Sequence, residues 1–207
     1  MEPVETSSVY EAALCQAGFS RIAGADEAGR GACAGPLVAA AVILGETIPD
    51  GLDDSKRLTA RRREQLFDEL IGTASAVACV SVTPADCDAL GIQVADLGAL
   101  RDAVLALEPA PDFVITDGFA VPGLPCPSLG MWKGDQVVAC VAAASIVAKV
   151  VRDRMMVAMD DEYPGYGFAV HKGYGTAAHQ AALDALGPCP QHRMTYRNVA
   201  ATLPGLH

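Results

Sequence analysis

Two rhythms of apolar and polar positions share this chain. Residues 37–44 form an unbroken apolar run rich in valine and isoleucine, the pattern of a strand covered on both faces. Residues 21–27 read as a second strand that stops in the glycine-rich stretch 28–36. Residues 75–82, 113–117 and 128–133 are three further strand candidates, the middle one ending in Asp117 and followed by Gly118. Elsewhere the period lengthens to that of helices. Thr59 is placed to cap a helix running to about Leu70. Residues 84–90 and 94–107 predict two more helices, the second stopped by Pro109 and Pro111. Residues 136–162 predict one long helix, apolar in its first half and charged in its second. Shorter helices are expected over 11–17, ended by Gly18, and over 176–186. Strands interleaved with helices predict an α/β domain, with the helical C-terminal third set as a separate lobe.

A length of 207 residues fits one domain with a real core, and 51% hydrophobic against 19% charged residues excludes wholesale disorder. No stretch reaches the roughly 18–20 apolar residues of a membrane span. Residues 1–10 carry Glu2 and Glu5 and neither a basic cluster nor an apolar centre, so no secretory leader is expected and the cytoplasm is the expected location. Seven cysteines, without CxxC spacing, predict mostly buried, reduced thiols rather than a disulfide scaffold or a thiolate zinc site. A net charge of −10 argues against a nucleic-acid partner, which usually needs a basic face.

The candidate chemistry is acidic. Asp26 and Glu27 end one predicted strand at the edge of the glycine loop, Asp117 ends another, and Asp135 precedes the long helix, which it could simply cap. Oxygen donors of this kind suit Mg²⁺ or Mn²⁺, and a pair of such ions suits displacement at phosphorus. Neighbouring strand residues point to opposite faces, however. Asp26 and Glu27 share a site only if the strand bends or ends there, as Gly29 and Gly31 allow. A shared cation site and four solvated surface carboxylates both stand on spacing alone.

Gly29, Gly31 and Gly35 imitate a dinucleotide fingerprint, but Pro36 and a strand follow where a helix N-terminus is needed, which excludes that use. Basic residues gather near the same loops: Lys56 and Arg57, Lys133, then Lys149, Arg152 and Arg154 on one helix, with His171 and Lys172 beyond. Lys149 and Asp153 also stand at ion-pair spacing. Arg61, Arg62 and Arg63 open a helix against its dipole, which hints at a use for their charge. Tyr163, Tyr166, Phe168 and Tyr174 could stack on a nucleotide or cover a lobe junction, and composition favours the cover. His171 and His179 read as hydrogen-bonding or surface residues, and Trp132 as core.

Several motifs occur in one order: Asp-Glu-Ala-Gly-Arg-Gly at 26–31, Asp-Ser-Lys at 54–56, Asp-Gly at 117–118 and Lys-Gly-Asp at 133–135. Ala-Ala-Ser-Ile-Val-Ala-Lys-Val-Val-Arg-Asp at 143–153 follows, then Tyr-Gly-Phe at 166–168 and His-Lys-Gly-Tyr-Gly-Thr at 171–176. From about residue 20 to 199 the chain resembles bacterial ribonuclease HII, the type 2 ribonuclease H. The resemblance implies a ribonuclease H-like mixed five-stranded sheet flanked by helices. It implies a catalytic core over about 20–160 and a helical substrate-contact segment over 161–207, together one domain. It also implies a metal-dependent endonuclease for RNA–DNA hybrids and for DNA duplexes containing ribonucleotides, cutting 5′ to the ribonucleotide and serving DNA repair. The products would carry 3′-hydroxyl and 5′-phosphate ends. Asp26, Glu27, Asp117 and Asp135 would hold two divalent ions, Mn²⁺ or Mg²⁺, with Asp26 bridging them. Gly29, Arg30 and Gly31 would sense the 2′-hydroxyl, the group that separates RNA from DNA. Tyr174 would stack under the next, deoxy sugar, and Lys56, Lys149 and Lys172 would contact the substrate. A monomer is expected. Gly175 and Ala32-Cys33 depart from the family's common residues. Two other classes fit parts of the pattern: a metal-dependent phosphatase for small esters, and a nucleic-acid-binding module without catalysis.

Overall fold

The computed structural model describes residues 8–203; the reading of residues 1–10 as free of a leader falls mostly outside them. The unbroken apolar run forms β2 (Leu37–Ile43), buried at every position. It pairs antiparallel with β1 (Ile22–Ala28) on one side and β3 (Ala76–Val82) on the other. On its far edge β1 pairs parallel with β4 (Phe113–Asp117), which pairs parallel with β5 (Ser128–Met131). The five strands therefore lie in the order β3-β2-β1-β4-β5, the mixed sheet that the resemblance implies.

Nine helices accompany the sheet among the described residues. These are α1 (Val9–Gln16), α2 (Ala60–Thr73), α3 (Pro84–Leu90), α4 (Ile92–Leu105), α5 (Gly134–Val137), α6 (Ala139–Glu162), α7 (Phe168–His171), α8 (Ala177–Leu186) and α9 (Arg197–Ala200). The pleat divides β1 cleanly. Ala23 and Ala25 pack with Ala99, Leu100 and Ala103 of α4 on one face. On the other, Ala28, Ala40 and Val42 pack with Ala143, Ile146 and Val147 of α6 and Leu66 and Leu70 of α2. Small residues let α6 approach the sheet closely. A Cβ on Gly24 would stand 2.1 Å from the Cys140 carbonyl carbon. None of the described helices is long and apolar enough to cross a membrane.

The expected helix over 136–162 is broken. Val138 is extended (φ −120°, ψ 121°) and splits α5 from α6. Its β-branched side chain is fully buried with Ile22, Ile115 and Val141, and burial there outweighs continuing the helix. The N–H of Cys140, left unpaired at the new helix start, donates to Glu11 of α1 at 2.8 Å. Thr59 caps α2 as expected, accepting from the Arg62 N–H at 3.2 Å. The charges at that end tie down the loop before the helix. Arg63 donates to the carbonyls of Ser55 and Leu58 at 2.7 and 2.6 Å, and Arg62 to that of Asp50.

The C-terminal third is not a detached lobe. Ala34 of the glycine loop packs with Met156, Tyr166, Phe168 and Cys189, and Cys33 with Leu183 and Val199. An isolated bridge joins Ala34 to His192.

Candidate active site

Asp26 lies opposite Ala40, on the face of β1 covered by α6, and is 4% exposed. The Ser145 hydroxyl of α6 hydrogen-bonds its carboxylate. Glu27 takes the opposite face, among the charges of Asp96 on α4 and Arg30. The strand does not end between them, so the two carboxylates diverge as pleating demands. Asp117 closes β4 where Met131 of β5 lies beside it. Its Oδ1 accepts the Gly134 N–H at 2.7 Å, and that bond sets the start of α5 and places Asp135 in its first turn. Asp135 is therefore not the cap of the long helix; it is 3% exposed and faces Lys56 Nζ at 3.4 Å. Asp26, Asp117 and Asp135 bring carboxylate oxygens within 4.8 Å of one another.

Electrostatics set these carboxylates against one another. Burial, then the charges of Glu27 and Asp117, hold the Asp26 carboxyl well above its ordinary range. Burial and Asp96 push Glu27 to about 7, against the pull of Arg30. Burial, Asp117 and Asp54 push Asp135 to about 6, against Lys56. An all-oxygen set that repels itself in this way fits a hard divalent ion, which would supply the missing positive charge.

Two cavities meet at this centre. One of about 550 Å³ is lined by Asp26, Glu27, Asp117, residues 29–31, Lys56, Lys149 and Tyr174. The other, about 340 Å³, shares Glu27, Arg30, Lys56 and Asp117 and continues past Asp135 to Phe119, Trp132 and Lys133. The glycine loop is braced from behind. Gly29 has φ +91°, and a Cβ on it would stand 1.9 Å from Arg152 Nε. Arg152 is wholly buried and donates to the carbonyls of Pro36, Lys172 and Ala34 at 2.9, 2.9 and 3.1 Å. Arg193 and the Tyr196 hydroxyl both donate to the Arg30 carbonyl, at 3.1 and 2.6 Å.

Comparison with known proteins fits this geometry. The family model for ribonuclease HII matches residues 23–199. The ribonuclease HII of Cutibacterium acnes is 60% identical over 193 residues, covering 92% of this chain and 95% of that protein. The chain belongs to the ribonuclease HII family. The ribonuclease HII of Salinispora tropica is 58% identical, covering 92% of this chain and 72% of that one. Among solved structures, ribonuclease H2 from Pyrococcus horikoshii superposes with a TM-score of 0.76 at 27% identity, over 88% of this chain and 97% of that one. RNase HII of Archaeoglobus fulgidus, solved in complex with PCNA, gives 0.73 at 25% identity, over 86% and 96% of the two chains. A Bst-RNase HIII structure with Mn²⁺ shares the fold, with a TM-score of 0.68 at 20% identity over 92% and 71%. As a ribonuclease HII, this protein is a metal-dependent endonuclease of the ribonuclease H class.

Within this ribonuclease HII the sequence-derived candidates do not all converge. Lys172 does not line the cavity of Tyr174; it lines an adjoining groove with Asp153 and Arg154 that shares Arg63 with that cavity, and its ammonium donates to the Ala169 carbonyl. Lys149 pairs with Asp153 at 2.7 Å yet still lines the larger cavity. Arg152 leaves the expected basic patch, because its guanidinium is used up inside the fold. Tyr166 and Phe168 stack in the core at 5.2 Å, the junction-covering use, whereas Tyr174 is 40% exposed at the cavity. His179 is buried rather than superficial. Its Nδ1–H donates to the Tyr174 carbonyl at 3.0 Å, its Nε2 lies 3.0 Å from that of His192, and its ring stacks on His171 at 4.2 Å. Trp132 is 76% exposed, not core, because β5 ends before it and the chain turns through Lys133 at φ +57°.

Residues missed from sequence also surround the centre. Asp54 accepts the Lys56 N–H at 2.9 Å and the Gln136 amide at 3.3 Å. Asp96, 2% exposed, holds Arg30 Nε at 3.3 Å, and burial above all pushes its pKa to about 6. A carboxylate at the apolar positions of α4, flanked by Ala95, Ala99 and Leu100, was the available signal.

Proposed function

We propose that this ribonuclease HII hydrolyses the RNA strand of RNA–DNA hybrids and cuts on the 5′ side of ribonucleotides embedded in duplex DNA, leaving 3′-hydroxyl and 5′-phosphate ends. The observation that carries the reading is the larger cavity. It sets the Gly29–Arg30–Gly31 backbone and the Tyr174 ring against the Asp26 and Asp117 carboxylates. Asp26, Asp117 and Asp135, with Glu27 from the opposite face of β1, would hold two divalent ions, Mn²⁺ or Mg²⁺, which would supply an activated water and offset charge on the departing 3′-oxygen.

Each remaining residue then orients the strand. Nothing lies within 4 Å of the place a Gly31 side chain would occupy, so a ribose can approach bare backbone there and offer its 2′-hydroxyl to it. Tyr174 packs beneath the sugar of the next, deoxy nucleotide. Lys56 and Lys149 meet phosphates beside the cut, and Lys172 meets the flanking duplex from its own groove. This local set makes a net charge of −10 tolerable for a phosphate-binding protein. The same proposal takes the protein as a monomer in which residues 1–207 work as a single type 2 ribonuclease H domain. Cysteines unpaired among the described residues suit the cytoplasm, where ribonucleotides are removed from DNA.

The test is cleavage of a labelled DNA duplex carrying one ribonucleotide, with Mn²⁺ or Mg²⁺, beside an all-DNA duplex and the Asp117→Asn variant. A single cut 5′ of the ribonucleotide, absent from both controls, is expected. A folded, ion-supplied wild type that leaves the duplex intact overturns the reading.

A further inference from the structure

Trp132 and Phe119 expose 76% and 52% of their surfaces at one corner of the carboxylate centre. Both line the smaller cavity, on the side away from Tyr174. Of the two cavities, Asp135 lines the smaller and not the larger, Asp26 the larger and not the smaller, while Glu27, Arg30, Lys56 and Asp117 line both. The two aromatic ends thus lie on either side of the acidic residues.

The corner is held rigidly to those residues. Met131, next to Trp132, pairs with Asp117 in the sheet, and its carbonyl accepts the Gly118 N–H at 2.8 Å. The Gly134 N–H donates to Asp117 Oδ1 at 2.7 Å. Arg30 lies 5.3 Å from the centre of the Phe119 ring, fixed from below by Asp96. Large rings left in water on a stiff support, beside cations and next to a cavity, are the make-up of a binding surface rather than of a core edge.

The strand polarity under the proposed function says what they would meet. If Tyr174 receives the nucleotide 3′ of the ribonucleotide, and the bond that breaks lies 5′ of it, the strand must leave the carboxylates toward Trp132. We propose that Trp132, supported by Phe119, forms a subsite for the sugars of the two nucleotides immediately 5′ of the cut, with Lys133 and Arg30 near their phosphates. The occupant is a nucleic-acid strand rather than a protein, because the corner is continuous with the cavity of the carboxylates and carries cations at its rim. This inference rests on the proposed function and adds to it the second half of the strand's path.

Trp132 is the only tryptophan in the chain, so its fluorescence reports this corner alone. Rapid mixing of the Mn²⁺-loaded enzyme with saturating duplex carrying one ribonucleotide should quench that fluorescence before the cut. Three-carbon spacers, which lack sugar and base, should abolish the quench when they replace the two nucleotides 5′ of the ribonucleotide. Spacers in place of the two nucleotides 3′ of it should leave the quench intact. Trp132→Ala should raise KM roughly 5- to 150-fold, the range found when an aromatic ring is removed from under a nucleotide, with kcat moved far less. Trp132→Phe should restore most of the loss. Normal cleavage with an unquenched Trp132, a quench lost only with the 3′ spacers, or a wild-type KM for Trp132→Ala overturns this subsite and leaves the proposed function standing. A quench that grows with enzyme concentration in the absence of duplex assigns the corner to protein contact and also overturns it. An intact duplex removes the proposed function and this subsite together.

Discussion

Replacing Asp135 by asparagine should make the metal-free protein more stable while destroying its activity. In the metal-free fold burial, Asp117 and Asp54 raise the Asp135 pKa from 3.8 to about 6. About two pH units, at about 1.4 kcal/mol each, mean that ionised Asp135 costs the fold about 3 kcal/mol relative to the unfolded chain. Between the unfolded and the folded pKa the native state binds more protons, so stability falls as pH rises from about 4 to about 6, and the full penalty is present above that. Asparagine keeps the shape and removes the charge. The opposing pull of Lys56, weak because that side chain is 73% exposed, is already contained in the shift. The gain at pH 8 is therefore at most about 3 kcal/mol, or a rise in Tm of up to about 6–12 °C for a chain of this size. The assay is thermal or urea unfolding of both proteins in chelator at pH 8 and pH 5. The gap should shrink by about 1 kcal/mol at pH 5, where Asp135 of the wild-type fold is mostly protonated. Saturating Mn²⁺ should reverse the order, because the wild type gains binding free energy that the variant lacks. An asparagine variant less stable than wild type in chelator at pH 8, or a gap that ignores pH, refutes the reasoning.

Three further outcomes are expected. Gly24→Ala would press a methyl group into the backbone of Cys140, which cannot swing aside, and should cost about 3 kcal/mol or more in urea unfolding. Arg152→Met leaves the carbonyls of Pro36, Ala34 and Lys172 without their buried donor, at about 1–3 kcal/mol each, so denaturation should show a loss of at least about 3 kcal/mol. His179→Leu frees the Tyr174 carbonyl and should lower kcat/KM at a single ribonucleotide several-fold; adding Tyr174→Ala should then change little, and full additivity in that double-mutant cycle would show that the two residues act separately.

Short-range physics made most of the framework legible. Strand β2 announced itself as an unbroken apolar run, and Thr59 marked a helix start by capping chemistry. The divergence of Asp26 and Glu27 followed from the pleat alone. Long-range partners were not legible. The break at Val138 depends on a pocket made by Ile22 and Ile115 from distant strands. Arg152 looked like a surface cation because nothing near it in sequence reveals that the carbonyls of residues 34 and 36 lie against it. Trp132 was misplaced for the converse reason: a large ring is ordinarily core, and only the end of β5 puts it outside. Asp96 carried a signal that went unread, a charge on the apolar face of a helix.

The loop at residues 29–31 grows out of the first strand of the sheet, yet its shape is imposed by groups some 160 residues later, Arg193 and Tyr196, which both grip the Arg30 carbonyl. Translation delivers the N-terminal part of a chain first. The sheet, α4 and α6 can therefore form on the ribosome with every acidic side chain in place, while the loop still lacks its brace. The loop shape proposed above to meet the ribose is fixed last, once the segment around Arg193 has been made. Damage near Arg193 would therefore be felt at the opposite end of the sequence.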